Sequence, residues 1–273
     1  MEQEGIIQTA EVDFRVSQRG AQPQAVFLHG FGTDLHTWDS VWAAMGDALP
    51  ALRYDLRGYG RSVTREEGAF THADDLLCLL DTIGLDVIDL VGVSMGGSIA
   101  LNFTLEHPQR VRRLVLISPG LVAWEWSGQW RALWQPIVDQ ARAGALQEAR
   151  HLWWMHPLFE STRRSAAAPA LFESIMQFTG DQWLGDHHRL MYPDVDRLHR
   201  LTAPTLLLTG GRDMADFRLI AELLEASAST VQRIDHTDLG HLLHLEDAAG
   251  CAGELLSFLA DATNSTTACV PSR

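Results

Sequence analysis

Short, almost uninterrupted apolar runs, separated by stretches with helical spacing, constrain this chain more than any other feature. Ala25–Gly30 (AVFLHG), Ala51–Leu56 (ALRYDL), Val87–Val93 (VIDLVGV), Val111–Ser118 (VRRLVLIS) and Pro204–Gly210 (PTLLLTG) are too brief for helices. They are also too apolar for strands with one wet face. Thr230–Asp235 (TVQRID) is a weaker sixth. Helical patterns fill the intervals at Trp38–Ala48, Thr71–Ile83, Met95–His107, Ala215–Ala226 and Glu246–Ala260. Strands buried on both faces and alternating with helices predict an α/β fold, with a mostly parallel sheet covered on both sides. Near the N-terminus, IIQTAEVDFRVS alternates apolar and polar residues and predicts an antiparallel edge hairpin.

The rhythm breaks between Leu121 and Arg200, where no strand-like run occurs and the character is helical. Such an insertion is too long for a plain loop. It predicts a helical cap over the carboxyl edge of the sheet, with STRRSAAAPA (Ser161–Ala170) joining two cap helices. The expected organisation is a core from 1 to 120, a cap from 121 to 200, the rest of the core from 201 to 261, and a polar, disordered tail from 262 to 273. The cap holds seven of the nine tryptophans. Some must dock its apolar face, but indoles also make rigid walls for apolar or aromatic ligands. Trp124, Trp126 and Trp154 are the candidates for substrate contact.

One strand-to-helix junction carries chemistry. In VGVSMGG, glycines at 92 and 96 flank Ser94, directly after an apolar run and before a helical pattern. A strand that reverses into a helix so abruptly forces its corner residue into a strained conformation, which flanking glycines relieve. The serine hydroxyl then projects beside a helix N-terminus, where developing negative charge is stabilised. Serine is a poor nucleophile without a general base that is itself oriented by an acid. His241, in DLGHLLHLED between the last strand candidate and the last helix, is the expected base, with His244 and His236 as competitors. The acid is sought after PTLLLTG, where Asp213 lies nearest the strand end and Asp216 suits a helix first turn. The backbone N–H groups of Phe31, in LHGFG, and of Met95 are the expected oxyanion donors. His29 is expected to hydrogen-bond loop backbone.

At this point the chain resembles the α/β-hydrolase superfamily along nearly its whole length. HGFG resembles the oxyanion loop, YDLRGYGRS (Tyr54–Ser62) the D-x-R-G-x-G-x-S turn, and GVSMGG the nucleophile elbow. GGRD and GHLLHLE fall where that family keeps its acid and base, although DHTDLGH departs from the commoner approach to the base. The resemblance implies an eight-stranded sheet with a lid after the sixth strand. It also implies a structural role for Asp55 and Arg57, the arginine tying loops together. Within the superfamily the chain is most similar to small bacterial esterases, enol-lactone hydrolases and C–C hydrolases of aromatic degradation.

Charge and cysteine usage close off other classes. A formal net charge of −14 argues against a phosphate backbone as partner, and Arg110, Arg112 and Arg113 read as a solvated turn. Three distant cysteines without CxxC spacing suggest neither a disulfide framework nor a metal site. No signal-peptide pattern and no long uncharged run appears, so a cytoplasmic protein without membrane or nucleic-acid partners is expected. The sequence thus predicts a cofactor-free serine hydrolase of a small-molecule ester or lactone. The rival activities are C–C hydrolysis of a meta-cleavage-type diketone and ligand binding on a hydrolase scaffold.

Overall fold

The computed structural model describes residues 2–66, 68–185, 189 and 191–260. Its strands are β1 (Glu2–Gln8), β2 (Val12–Arg19), β3 (Ala25–Leu28), β4 (Ala51–Tyr54), β5 (Val63–Thr64), β6 (Ile88–Val93), β7 (Val111–Ile117), β8 (Thr205–Gly210) and β9 (Val231–His236). The helices are α1 (Asp39–Met45), α2 (His72–Ile83), α3 (Met95–Glu106), α4 (Gly128–Arg142), α5 (Leu146–Met155), α6 (Ala168–Gln177), α7 (Asp181–Leu184), α8 (Ala215–Ser227), α9 (Leu243–Glu246) and α10 (Ala248–Ala260). The predicted tail lies outside the described residues.

Eight strands run in the order β1-β2-β4-β3-β6-β7-β8-β9, and the two-residue β5 pairs with the start of β2. β2 is antiparallel to both β1 and β4, whereas β4-β3-β6-β7-β8-β9 are parallel. The central strands β3, β6 and β8 are buried along their whole length, which is why their sequences are apolar runs rather than alternations. Local signals set the flanking helices. Thr71 Oγ1 accepts from the Asp74 N–H at 3.0 Å to start α2, and Gly84, at φ 69°, ends it in the left-handed conformation.

Arg112 and Arg113 correct the expectation of a solvated basic turn, because both lie on β7. The fully buried Asp89 of β6 sits beside them. Arg112 clasps it with two hydrogen bonds, at 2.9 and 2.6 Å, and Arg113 Nη1 donates to the Leu259 carbonyl at 3.1 Å. A buried carboxylate needs such partners.

Between β7 and β8 the chain forms α4 to α7 and, among the described residues, no strand. Ser127 caps α4, its Oγ accepting from the Trp130 N–H at 3.1 Å. Trp126, just before Ser127, and Trp130 and Trp134 of α4 lie at four-residue spacing, with Trp130 stacked on Trp126 at 4.4 Å and on Trp134 at 6.2 Å between ring centroids. This row of indoles faces the carboxyl ends of the parallel strands and closes a cavity over them.

Candidate active site

Ser94 is the corner between β6 and α3, with φ 53° and ψ −116°. A non-glycine residue rarely adopts such a conformation, and the packing around the corner holds it there. The Ser94 N–H donates to the Ile117 carbonyl of β7 at 2.9 Å. A Cβ at Gly96 would collide with the carbonyl oxygens of Leu28 and His29, and one at Gly92 with the Gly96 carbonyl. Only hydrogen at these positions lets α3 pass so close to β3 and β6.

Two further loops deliver side chains to this corner. His241, after β9, and Asp213, after β8, are both buried. His241 Nδ1–H donates to Asp213 Oδ2 at 2.8 Å, and its bare Nε2 accepts from the Ser94 hydroxyl at 2.8 Å. The carboxylate fixes that tautomer, since it accepts hydrogen bonds and donates none. The other Asp213 oxygen, Oδ1, accepts from the Met214 N–H at 2.6 Å. Phe217 of α8 lies against the imidazole, 4.2 Å between centroids.

The competing residues are occupied elsewhere. His244 Nε2 faces Thr37 Oγ1 at 3.0 Å, and burial, then the nearby His241, pushes its pKa down to about 3. His236 pairs with Glu254 at 3.2 Å. Asp216 accepts from the Ser127 N–H at 2.9 Å, the Ser127 hydroxyl at 2.7 Å and the Trp124 indole N–H at 3.4 Å, which ties α8 to the start of α4. His29 serves loop backbone. Its Nδ1–H donates to the Gly30 carbonyl at 2.8 Å and its Nε2 accepts from the Leu56 N–H at 3.1 Å, while burial depresses its pKa. Asp55 accepts from the Leu35 and Arg61 N–H groups at 2.9 and 2.7 Å, and Arg57 bridges Asp75 and Glu11. These two hold loops together.

A cavity of about 390 Å³ opens over Ser94 and His241. Phe31 and Met95 line it, and the Met95 N–H, in the first turn of α3, has no helical acceptor. The walls are mainly apolar, and among the described residues Arg131 and His241 are the only titratable side chains in the lining. Trp126 belongs to the wall, whereas Trp124 and Trp154 do not. Trp124 is turned to Asp216, and Trp154 packs edge-on against Phe172 at 5.2 Å, beneath Arg163. The other indoles of the wall are Trp130, Trp134 and Trp153. Trp153 and Trp154 are adjacent on α5 and point about 100° apart around its axis, and Trp153 is the one turned inward. The four-residue spacing of 126, 130 and 134 was the available signal for the α4 set. Phe31, Met95 and Trp134 also border a second, more polar cavity lined by Tyr59, His72 and Gln182.

Among the described residues no grouping of His, Cys, Asp and Glu could hold a metal ion, and no helix is long and apolar enough to cross a membrane.

A strand-turn-helix serine, a loop histidine and a loop aspartate joined in this order define a hydrolase-type α/β architecture. The family model described as "alpha/beta hydrolase fold" matches residues 26–248, and the chain belongs to that family. An esterase of Mycobacterium tuberculosis is 37% identical over 101 residues, covering 36% of this chain and 33% of that protein. The match therefore spans about a third of that relative's length. A 3-oxoadipate enol-lactonase of Acinetobacter baylyi is 24% identical over 229 residues, covering 82% of this chain and 84% of that one. Among solved structures, a thermophilic esterase from Thermogutta terrifontis superposes with a TM-score of 0.78 at 24% identity, covering 97% and 100% of the two chains.

Proposed function

We infer that the protein is a serine hydrolase that cleaves a small, apolar or aromatic carboxylic ester or lactone through an acyl-enzyme. The observation that carries this reading is the unbroken chain Ser94–His241–Asp213, with two 2.8 Å hydrogen bonds, at the floor of an indole-lined cavity. Ser94 Oγ attacks the carbonyl carbon while His241 Nε2 takes its proton. Asp213 keeps the imidazole in the required tautomer and stabilises the imidazolium. The Phe31 and Met95 N–H groups receive the oxyanion, aided by the positive end of α3. His241 then protonates the leaving oxygen, and the same nitrogen activates water to release the acid. The mainly apolar, indole-rich walls favour an apolar acyl or alcohol group. The esterase and enol-lactonase among the relatives support an ester or lactone substrate.

One observation favours a second reading. Arg131, exposed at the cavity wall, supplies a permanent positive charge of the kind that binds the carboxylate of a vinylogous diketone. The same Ser94–His241 pair would then serve C–C hydrolysis. Incubating the protein with p-nitrophenyl acetate, a neutral lactone and a meta-cleavage-type diketone separates the readings. Ester or lactone turnover that vanishes in Ser94→Ala is the expected result. Turnover of the diketone alone supports the second reading, and turnover unaffected by Ser94→Ala overturns both. Binding without turnover of any of the three leaves only a ligand-binding scaffold.

A further inference from the structure

Glu246 closes α9, five residues after His241, and its carboxylate is divided between two parts of the molecule. Oε2 accepts from the Gly240 N–H at 2.9 Å and from the Ser161 hydroxyl at 2.6 Å, while Oε1 accepts from the Thr162 hydroxyl at 2.6 Å. Gly240 immediately precedes His241. Ser161 and Thr162 belong to the cap, at the short 3-10 turn between α5 and α6. The approach is close in backbone terms as well, since a Cβ at Gly240 would lie 2.5 Å from Ser161 Cβ. Thr162 is fully buried, and neither Ser161 nor Thr162 lines the cavity.

His241 must satisfy Ser94 and Asp213 at once, on a loop whose preceding residue is a glycine with wide backbone freedom. An ionised acceptor taking three donors supplies the missing restraint, because hydrogen bonds to a charged group are stronger than neutral ones. Resting on the reading of His241 as the base, we propose that Glu246 is a positioning residue that couples the docking of the cap, through Ser161 and Thr162, to the aim of His241. A cap that acts only as a wall changes KM for bulky esters. A cap that aims the base changes kcat even for an ester too small to reach the wall.

The test uses the full chain, methyl acetate as substrate with release of acetic acid followed by titration, and the low-field proton resonance of His241 Nδ1–H as a readout independent of turnover. Glu246→Ala is expected to lower kcat about tenfold to a hundredfold, the scale of a small misplacement of a reacting group, with KM little changed. The cap-side pair Ser161→Ala with Thr162→Val, which leaves the Gly240 contact in place, is expected to lower kcat about tenfold and to move the resonance. Where Glu246→Ala does not fold, this pair reads the same effect. Glu246→Gln restores most of kcat, because its carbonyl can face the Gly240 N–H while its NH2 donates to the Thr162 hydroxyl. An unchanged resonance and kcat in the cap-side pair, or a rise confined to KM for bulky esters, overturns the proposal. If wild type hydrolyses no ester while the resonance still moves in the variants, the hydrolase reading fails and the coupling stands.

Discussion

The floor of the cavity and its roof are held in place by different means. On the floor, Ser94, Asp213 and His241 each sit within a few residues of a parallel strand, so the register of β6, β8 and β9 sets their spacing. The roof has no strand among the described residues, and side chains fasten it instead. Asp194 accepts from Asn102 of α3 and from the Val122 N–H, both at 3.0 Å, while Asp216 and Glu246 hold Ser127 and the Ser161–Thr162 turn. Two of these fasteners lie three and five residues beyond Asp213 and His241, so the loops that build the floor also grip the roof. A backbone-determined floor fixes the chemistry, and a side-chain-determined roof leaves substrate choice open to change.

The sharpest way to break this comparison is to exchange the two aspartates. Asp213→Asn is expected to lower kcat about 10⁴-fold, since the imidazole loses its tautomer restraint. Asp216→Asn should cost far less in kcat and act mainly by loosening the cap. Equal losses in steady-state assays would erase the distinction between floor and roof. Next in size, Gly96→Ala drives a Cβ into the Leu28 and His29 carbonyls, which backbone cannot yield. A loss of about 3 kcal/mol or more in urea unfolding is expected. A near-neutral result would show that the elbow is not strand-determined.

Substitutions in the roof should be milder and selective. Trp130→Ala is expected to raise KM for an ester with a bulky aromatic acyl group about tenfold or more, in line with the loss of an indole contact, and to leave methyl acetate nearly unaffected. Trp154→Ala, outside the cavity, should change neither. A further effect is on pH dependence. His156 in the cap and His244 beside the floor are held neutral, with pKa values pushed down by burial to about 4 and about 3. Between those values and the unfolded value of 6.5 the unfolded chain binds more protons, so stability is present above pH 6.5 and is lost as pH falls. Each histidine contributes about 1.4 kcal/mol per pH unit within its window. His156→Gln should flatten the fall of the urea midpoint between about pH 6 and pH 4.5.

Much of the floor was legible because it rests on short-range patterns. The apolar runs at 25–30, 87–93 and 204–210 mark β3, β6 and β8 to within about two residues, the usual blur at element ends. The glycines at 92 and 96 mark Ser94 through a local steric demand. β5 was not legible, since Val63 and Thr64 are both exposed and become a strand only by pairing with Val12 and Asp13. The roof was harder to read. Composition announced an indole-rich insertion, but Trp124 and Trp154 were favoured over Trp130, Trp134 and Trp153 as wall residues. Which face of a cap helix turns inward depends on contacts such as Trp124 with Asp216 and Trp154 with Phe172, which join residues far apart in the chain.

The sequence by itself determined the α/β alternation, the strained serine corner and the identity of the residues that could meet there. Hydrophobic periodicity and glycine sterics act over a few residues, and a linear string records them. Sequence position already favoured His241 over His244 and Asp213 over Asp216, whereas tertiary structure alone decided the hydrogen bonds that join them to Ser94 and that Glu246 joins the base loop to the cap. Those choices turn on hydrogen-bond geometry between segments up to 147 residues apart, where a rotation of one loop would exchange one partner for another.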